Sequence, residues 1–325
     1  MLSMKKYIIY IILTAWASIS TAQTASTVVY KYDEFNRLTE ADYGTGKKIT
    51  YTYDKLGNRK SQISTNLTVS LALKVSAKAF LQGSYSTTTT STATAGLMND
   101  DLRRNNLIPT TEPYTGLEAF THVSGGGEVV PPSALSITGD NALVDWVFME
   151  LRNKDNPLIV VATRSALIQR DGDIVDVDGV SPVNFNISAD YFYVTIRHRN
   201  HLGIMTESPV DLRNSLIFLN FTDGTARPYG TNAMKDFGSG KLGLWAGNII
   251  NDGVLKYSGS GNDRFPILSR IGGTNVLNTV SGYFREDTNL DGIVKYSGSG
   301  NDRLIILQNI GNTNVLLTLT EQIPK

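Results

Sequence analysis

Near the end of the chain, Asp287, Asn289 and Asp291 occupy alternate positions and Gly292 follows. That spacing lets three side-chain oxygens turn inward on one hard cation, while the glycine permits a sharp bend and the next carbonyl, that of Ile293, adds a backbone ligand. Asp302 is placed to close the shell from the far end. The loop from Asp287 to Asp302 then has 16 residues, against about 12 in the standard calcium loop. Residues 297–301, Ser-Gly-Ser-Gly-Asn, supply the excess. Oxygen ligands of this kind select Ca2+.

The same segment occurs once before. The thirteen residues from Asp252 to Arg264 recur from Asp291 to Arg303, 39 residues later, with eleven identical. The earlier copy is the poorer cation loop: Asn248 stands at the leading carboxylate position and Ile250 where an oxygen is needed. Asp252, the carbonyl of Val254 and Asp263 remain. One firm calcium site is therefore expected at Asp287, Asn289, Asp291, Ile293 and Asp302, with the first copy kept mainly as a packing partner.

Such loops need elements to hold them. After Asp302 comes a short apolar stretch ended by Gly311, and Asp263 is followed likewise by a stretch ended by Gly272. An aspartate N-cap and a glycine stop describe a two-turn helix, with Pro266 tolerated in the first turn of the earlier one. Two loop-helix units can pack their Ile and Leu faces together, which accounts for the duplication.

Other constellations carry less. Asp171, Asp173, Asp176 and Asp178 are dense enough for a second cation, but a polar hairpin edge is the preferred reading. His198 and His201, three apart on an extended strand, face opposite ways and give no metal pair; Arg197-His198-Arg199 is read as a solvated face. Ser258 and Ser260 lie outside any Gly-x-Ser-x-Gly elbow. Asp145 and Glu150 could be drawn as a glycosidase pair only by guesswork. The chain is accordingly read as a binding or structural protein and not as an enzyme.

The opening Met-Leu-Ser-Met-Lys-Lys, the apolar run from Tyr7 to Trp16 and the small polar residues up to Gln23 make a secretory signal. No membrane span is expected once it is cleaved. Absence of cysteine excludes disulfides, thiol catalysis and cysteine-held metals. Thirty basic against thirty acidic residues give no electrostatic reason for a nucleic-acid partner.

A second repeat pair follows the signal. Tyr30-Lys-Tyr32-Asp33-Glu-Phe-Asn36-Arg37 recurs as Tyr51-Thr-Tyr53-Asp54-Lys-Leu-Gly57-Asn58-Arg59, and alternating aromatics before an Asp and a turn residue describe hairpins. This pair resembles the YD repeats of Rhs and teneurin-like proteins, departing from them at Asn36 where Gly is usual. Residues 71–237, rich in Val, Ile, Thr, Tyr and Phe with turn signals every ten to fifteen residues, predict an antiparallel β-sandwich. The closing repeats resemble type I dockerins with a lengthened loop. Together with Gly96-Leu-Met-Asn-Asp-Asp-Leu102 and Arg197-His-Arg-Asn-His-Leu-Gly203, they make residues from about 71 onward similar to the C-terminal part of large secreted Bacteroidetes surface proteins, some labelled haemagglutinin-like.

The expected organisation is a signal at 1–23, YD-repeat hairpins at 24–64, a β-sandwich at 65–237 and dockerin-like calcium repeats at 238–325. The expected role is a secreted or cell-surface adhesion protein that binds a carbohydrate or protein ligand. The resemblance to dockerins implies an alternative, an accessory component of polysaccharide breakdown with a cohesin-like partner.

Overall fold

A computed structural model describes residues 28–43, 47–66, 73–213 and 217–325; the expected secretory signal lies outside them. The chain divides into two compact units, Met1–Val69 and Ser70–Lys325. Among the described residues no helix is long and apolar enough to cross a membrane.

The first unit is an antiparallel meander of β1 (Val29–Tyr32), β2 (Leu38–Asp42), β3 (Lys47–Tyr53) and β4 (Arg59–Asn66), in that spatial order. Its two Asp-led turns are built alike. Asp33 Oδ1 accepts from the amides of Phe35 and Arg37, and Asp54 Oδ1 from those of Leu56 and Asn58. Each turn needs one left-handed residue, Gly57 at φ 90 and Asn36 at φ 59. Asparagine is among the few residues that tolerate this conformation, so the departure from glycine at position 36 leaves the turn intact.

The second unit is built on a nine-stranded sheet. Its strands are β5 (Leu73–Lys78), β6 (Leu143–Asn153), β7 (Val160–Gln169), β8 (Asp173–Val175), β9 (Val183–Phe185), β10 (Tyr191–His198), β11 (His201–Met205), β12 (Val210–Asp211) and β13 (Ile217–Asn220). The order runs β11-β10-β6-β7-β8-β5-β13, with β12 beside β10 and β9 beside β5. All pairings are antiparallel except β5 with β13. Short helices α1 (Asp101–Arg104) and α2 (Pro132–Leu135) precede β6. From Leu143 to Arg152 every residue of β6 is buried, so both faces of the sheet's centre are covered. The described residues are thus mainly β in antiparallel sheets, with no closed barrel among them.

A hairpin of β14 (Lys235–Gly238) and β15 (Lys241–Gly243) spans residues 237 and 238, where a domain boundary was expected. Beyond it the duplicated segment forms β16 (Val254–Lys256), α3 (Arg264–Arg270), β17 (Thr279–Ser281), β18 (Ile293–Lys295), α4 (Asp302–Asn309) and β19 (Thr318–Thr320). The copies do not fold side by side; each completes the other. β17 of the first copy pairs with β18 of the second, and β19 of the second with β16 of the first, in the same register: Lys256 faces Thr318 as Lys295 faces Thr279. The hydroxyls repeat this exchange, Ser258 donating to the Val315 carbonyl and Ser297 to that of Val276. This is an internal two-fold arrangement of the isologous kind. Ile249, Leu255, Ile267, Val294 and Ile306 fill a core of its own, to which Leu202 and Trp245 also contribute.

Candidate functional site

The second loop is organised by its own backbone amides. Asp287 is fully buried; its Oδ2 accepts from Gly292 N at 2.8 Å and its Oδ1 from Asp291 N at 3.2 Å. Asn289 Oδ1 accepts from Asp291 N, and Asp291 Oδ1 from Ile293 N at 2.8 Å. Gly282 N donates to Gly292 O, so in the antiparallel ladder Ile293 falls at a non-bonded position opposite Ser281. Its carbonyl is therefore turned away from β17, toward the loop.

Asp302 holds both sides of the loop together: Oδ1 accepts from Thr288 N and Oδ2 from Lys295 N, each at 2.7 Å. In the first copy Asp263 does the same with Ile250 N and Lys256 N. Burial pushes Asp287 up to about 8 and Asp302 up to about 7; at Asp287 the Asp302 and Asp291 carboxylates add to the shift while Arg199 opposes it. Asp263 is likewise pushed up to about 7 by burial.

Among the described residues, no three His, Asp or Glu side chains stand in ready-made metal-binding geometry. The residue types suit a hard cation: two carboxylates, an amide oxygen and an outward-turned carbonyl follow one another round one loop, although Lys295 Nζ lies 3.7 Å from Asp291 and Arg199 acts on Asp287. Asp287, Asn289, Asp291 and Ile293 would hold calcium, with Asp302 bracing the loop. In the first copy Asn248 Oδ1 is buried without a hydrogen-bond partner, and Asp252 is exposed. Asp252 Oδ1 accepts from Val254 N, while its backbone carbonyl accepts from Lys325 Nζ.

Behind the second loop lies a polar network that links it to the sheet. Asp145, on β6 and wholly buried, accepts from Arg199 Nε at 3.1 Å and Nη2 at 2.9 Å, His198 Nε2 at 3.1 Å and Tyr283 Oη at 2.6 Å. Burial alone would raise its pKa; Arg199, then His198 and Tyr283, reverse this and hold it down to about 2. Arg199 also donates to the Phe284 carbonyl, and Asn200 Nδ2 to those of Arg285 and Asp287.

His198 and His201 meet, contrary to the extended-strand expectation. Arg199-Asn200 is a hairpin turn, so the two imidazoles face each other across β10 and β11 with Nδ1 atoms 2.9 Å apart. Gly83 N donates to His201 Nε2 at 3.2 Å. With Nε2 accepting, the His201 Nδ1–H lies between Asn200 Oδ1 at 2.8 Å and His198 Nδ1 at 2.9 Å, and His198 Nε2–H donates to Asp145. Burial lowers both histidine pKa values. The Arg197-His198-Arg199 run is accordingly an interior network and not a solvated face.

Asp145 and Glu150 are five residues apart on an unbulged stretch of β6 and so point to opposite faces. Glu150 pairs with Arg152 and Arg197. The Asp171–Asp178 carboxylates also go separate ways: Asp171 and Asp173 to Lys78, Asp176 to Arg164 at 2.7 Å, and Asp178 to the amides of Val180 and Ser181.

One cleft, of about 570 Å³, opens where the 113–119 segment of the sheet region meets the repeats. Buried Arg199, Asn251, Arg270 and the run Tyr283-Phe284-Arg285 line it, facing Leu117 and Glu118. No sequence motif marks it, since its wall is gathered from five separate stretches.

The turns of the first unit give a comparison. Asp33 and Asp54 each cap a four-residue return whose ends are joined by backbone bonds, Asp33 N to Arg37 O and Asp54 N to Asn58 O. Residues 32–68 match the family model described as RHS Repeat. The matched stretch contains both Asp-capped turns. No curated protein and no solved structure matches the chain.

Proposed function

We propose that the chain is a secreted or cell-surface binding protein of adhesive type, without catalysis of its own. In this reading the long sheet doubles over as a sandwich, and calcium in the second loop stiffens the edge of a ligand cleft. One observation carries it: residues 283–287 line the cleft at one end and begin the cation loop with Asp287 at the other. A cation that orders Asp287 therefore orders the cleft wall. The RHS repeat at 32–68 supports the surface or secreted setting, and a carbohydrate or protein at the cell surface is the ligand class.

The test is a glycan-array screen of the secreted chain in calcium and in chelator, with Asp291→Ala beside the wild type. Glycan binding that needs calcium and is lost in Asp291→Ala supports the reading. Equal binding in all four conditions removes calcium from it.

A second reading is favoured by the two-fold related apolar edges. Leu277 and Leu316 are 77% and 75% exposed at equivalent positions, as a surface that docks on a cohesin-like partner would require. Capture of the chain by an isolated cohesin, abolished by Leu277→Asp with Leu316→Asp, would establish it.

A further inference from the structure

The arginine-lined cleft carries charges that its own walls do not use. Arg199 is spent: buried, it gives Nε and Nη2 to Asp145 and Nη1 to the Phe284 carbonyl, and it stacks on Tyr283 with 4.2 Å to the ring centroid. Arg270 lies over the Phe284 ring at 4.4 Å and donates Nε and Nη2 to the two oxygens of Glu286, both at 3.2 Å. Arg285 reaches the same carboxylate only by Nε, at 3.8 Å. Two guanidinium groups thus share one carboxylate. The Arg285 fork, 42% exposed, donates no hydrogen bond among the described residues.

The other groups facing the cleft are acceptors. Asn251 gives its Nδ2 to the Arg199 and Ile249 carbonyls, which leaves Oδ1 to accept. Glu118 is exposed on the opposite wall with no ion pair among the described residues. A ligand for this cleft therefore brings one carboxylate to a planar fork, hydroxyl donors to Glu118 and Asn251, and a ring face to Leu117. A doubly charged phosphate or sulfate meets only one unshared guanidinium fork, which matches a single carboxylate.

We propose that this cleft binds a carboxylate-bearing sugar residue of an acidic polysaccharide, with Arg285 as its carboxylate-recognising residue. This rests on the binding-protein reading and names its ligand class.

The experiment is isothermal titration of the intact secreted chain, in calcium, with trigalacturonic acid, with neutral galactotriose and with inorganic sulfate. Arg285→Gln is the test variant. Arg213→Gln, at an exposed pair with Asp211 outside the cleft, is the control. Loss of one charge-assisted fork is worth about tenfold or more in affinity. Trigalacturonic acid is expected to bind wild type and Arg213→Gln alike, at least about tenfold more tightly than galactotriose and than Arg285→Gln binds it. Circular dichroism of Arg285→Gln should match wild type, because the residue is exposed. Acidic and neutral trisaccharides binding equally, with no effect of Arg285→Gln, would overturn the cleft assignment and leave the binding-protein reading standing. No saccharide binding in this titration or on the array overturns the cleft assignment and leaves the binding-protein reading with a protein ligand only. Sulfate competing as well as the uronate overturns the carboxylate specificity.

Discussion

The electrostatics of the second loop predict how stability should depend on pH and calcium. Asp287, pushed up to about 8 by burial, keeps its proton in the metal-free fold at neutral pH, whereas the unfolded chain has lost it above about 4. The folded state then binds more protons than the unfolded one, so stability falls as pH rises through the folded value. Between pH 6.5 and 8 Asp287 alone accounts for a loss of about 1.5 kcal/mol, at 1.4 kcal/mol for each full pH unit. Asp302 and Asp263, up to about 7, contribute in the same direction. Buried His198 and His201 act oppositely, but below about pH 6.5, where the unfolded histidines take up protons. From pH 7 to 8 the carboxylates therefore dominate the slope, because the unfolded histidines have by then released most of their protons. Calcium at a hundred times its dissociation constant adds about 2.7 kcal/mol, roughly 5–10 °C in a domain of this size. The assay is differential scanning fluorimetry of the chain in chelator and in calcium at pH 6.5, 7, 7.5 and 8, for wild type and Asp287→Asn. The asparagine places an amide nitrogen against a backbone N–H and lowers overall stability by about 1–3 kcal/mol, so the slope with pH is the quantity to compare. Wild type in chelator should lose melting temperature toward pH 8, calcium should flatten that slope, and Asp287→Asn should keep only the shallower slope due to Asp302 and Asp263 and show no calcium gain. A metal-free melting temperature that rises toward pH 8, or a full calcium gain in Asp287→Asn, would refute the reasoning.

Other expectations follow from neighbouring contacts. Asp145→Asn leaves the Arg199 guanidinium buried without its counter-charge and should cost about 3–5 kcal/mol in urea unfolding. Because Arg199, His198 and Tyr283 hold Asp145 down to about 2, its stabilising contribution is present above about pH 4 and is lost on acidification toward 2, which acid titration of wild type against Asp145→Asn should resolve. Gly83→Ala would place a Cβ 2.0 Å from the Thr288 carbonyl; it should cost about 1–3 kcal/mol and reduce the calcium gain in the same melting experiment. Ser258→Ala and Ser297→Ala remove equivalent bonds between the copies, so each should cost about 0.5–1.5 kcal/mol by denaturant unfolding, and by nearly the same amount.

What could be read from the residues alone was what lies close together along the chain. The Asp-led turns at 33 and 54, the Asp287–Gly292 spacing and the helices after Asp263 and Asp302 are local patterns, and the structure forms its turns and helices there. Asn36 in place of glycine was legible too, since both residues accept a positive φ. The cleft was not, because Glu118, Arg199, Asn251, Arg270 and Arg285 meet only through the tertiary fold. The facing of His198 and His201 was misread for a different reason. Arg199-Asn200 carries no glycine or proline to announce a turn, and a hairpin reverses the facing that an extended strand would give. Equally, nothing in the neighbours of Asp145 signals that an arginine 54 residues on will neutralise it.

The exchange of strands between the two copies sets an order of events during synthesis. Residues 254–256 find their partner only at 318–320, so the first copy cannot close when it emerges; it waits until residues 318–320 have been made. The same terminal segment also carries Glu321, which accepts from Gly203 N at 2.7 Å, and the Pro324 carbonyl, which accepts from Arg152 Nη1 at 2.9 Å. Residues 318–325 thus act as a keystone set after the segments they support. A chain cut just before Thr318 would lose contacts in the sheet and in both copies at once, and a late-closing strand of this kind keeps the unit open, with high contact order, through most of its passage from ribosome to folded state.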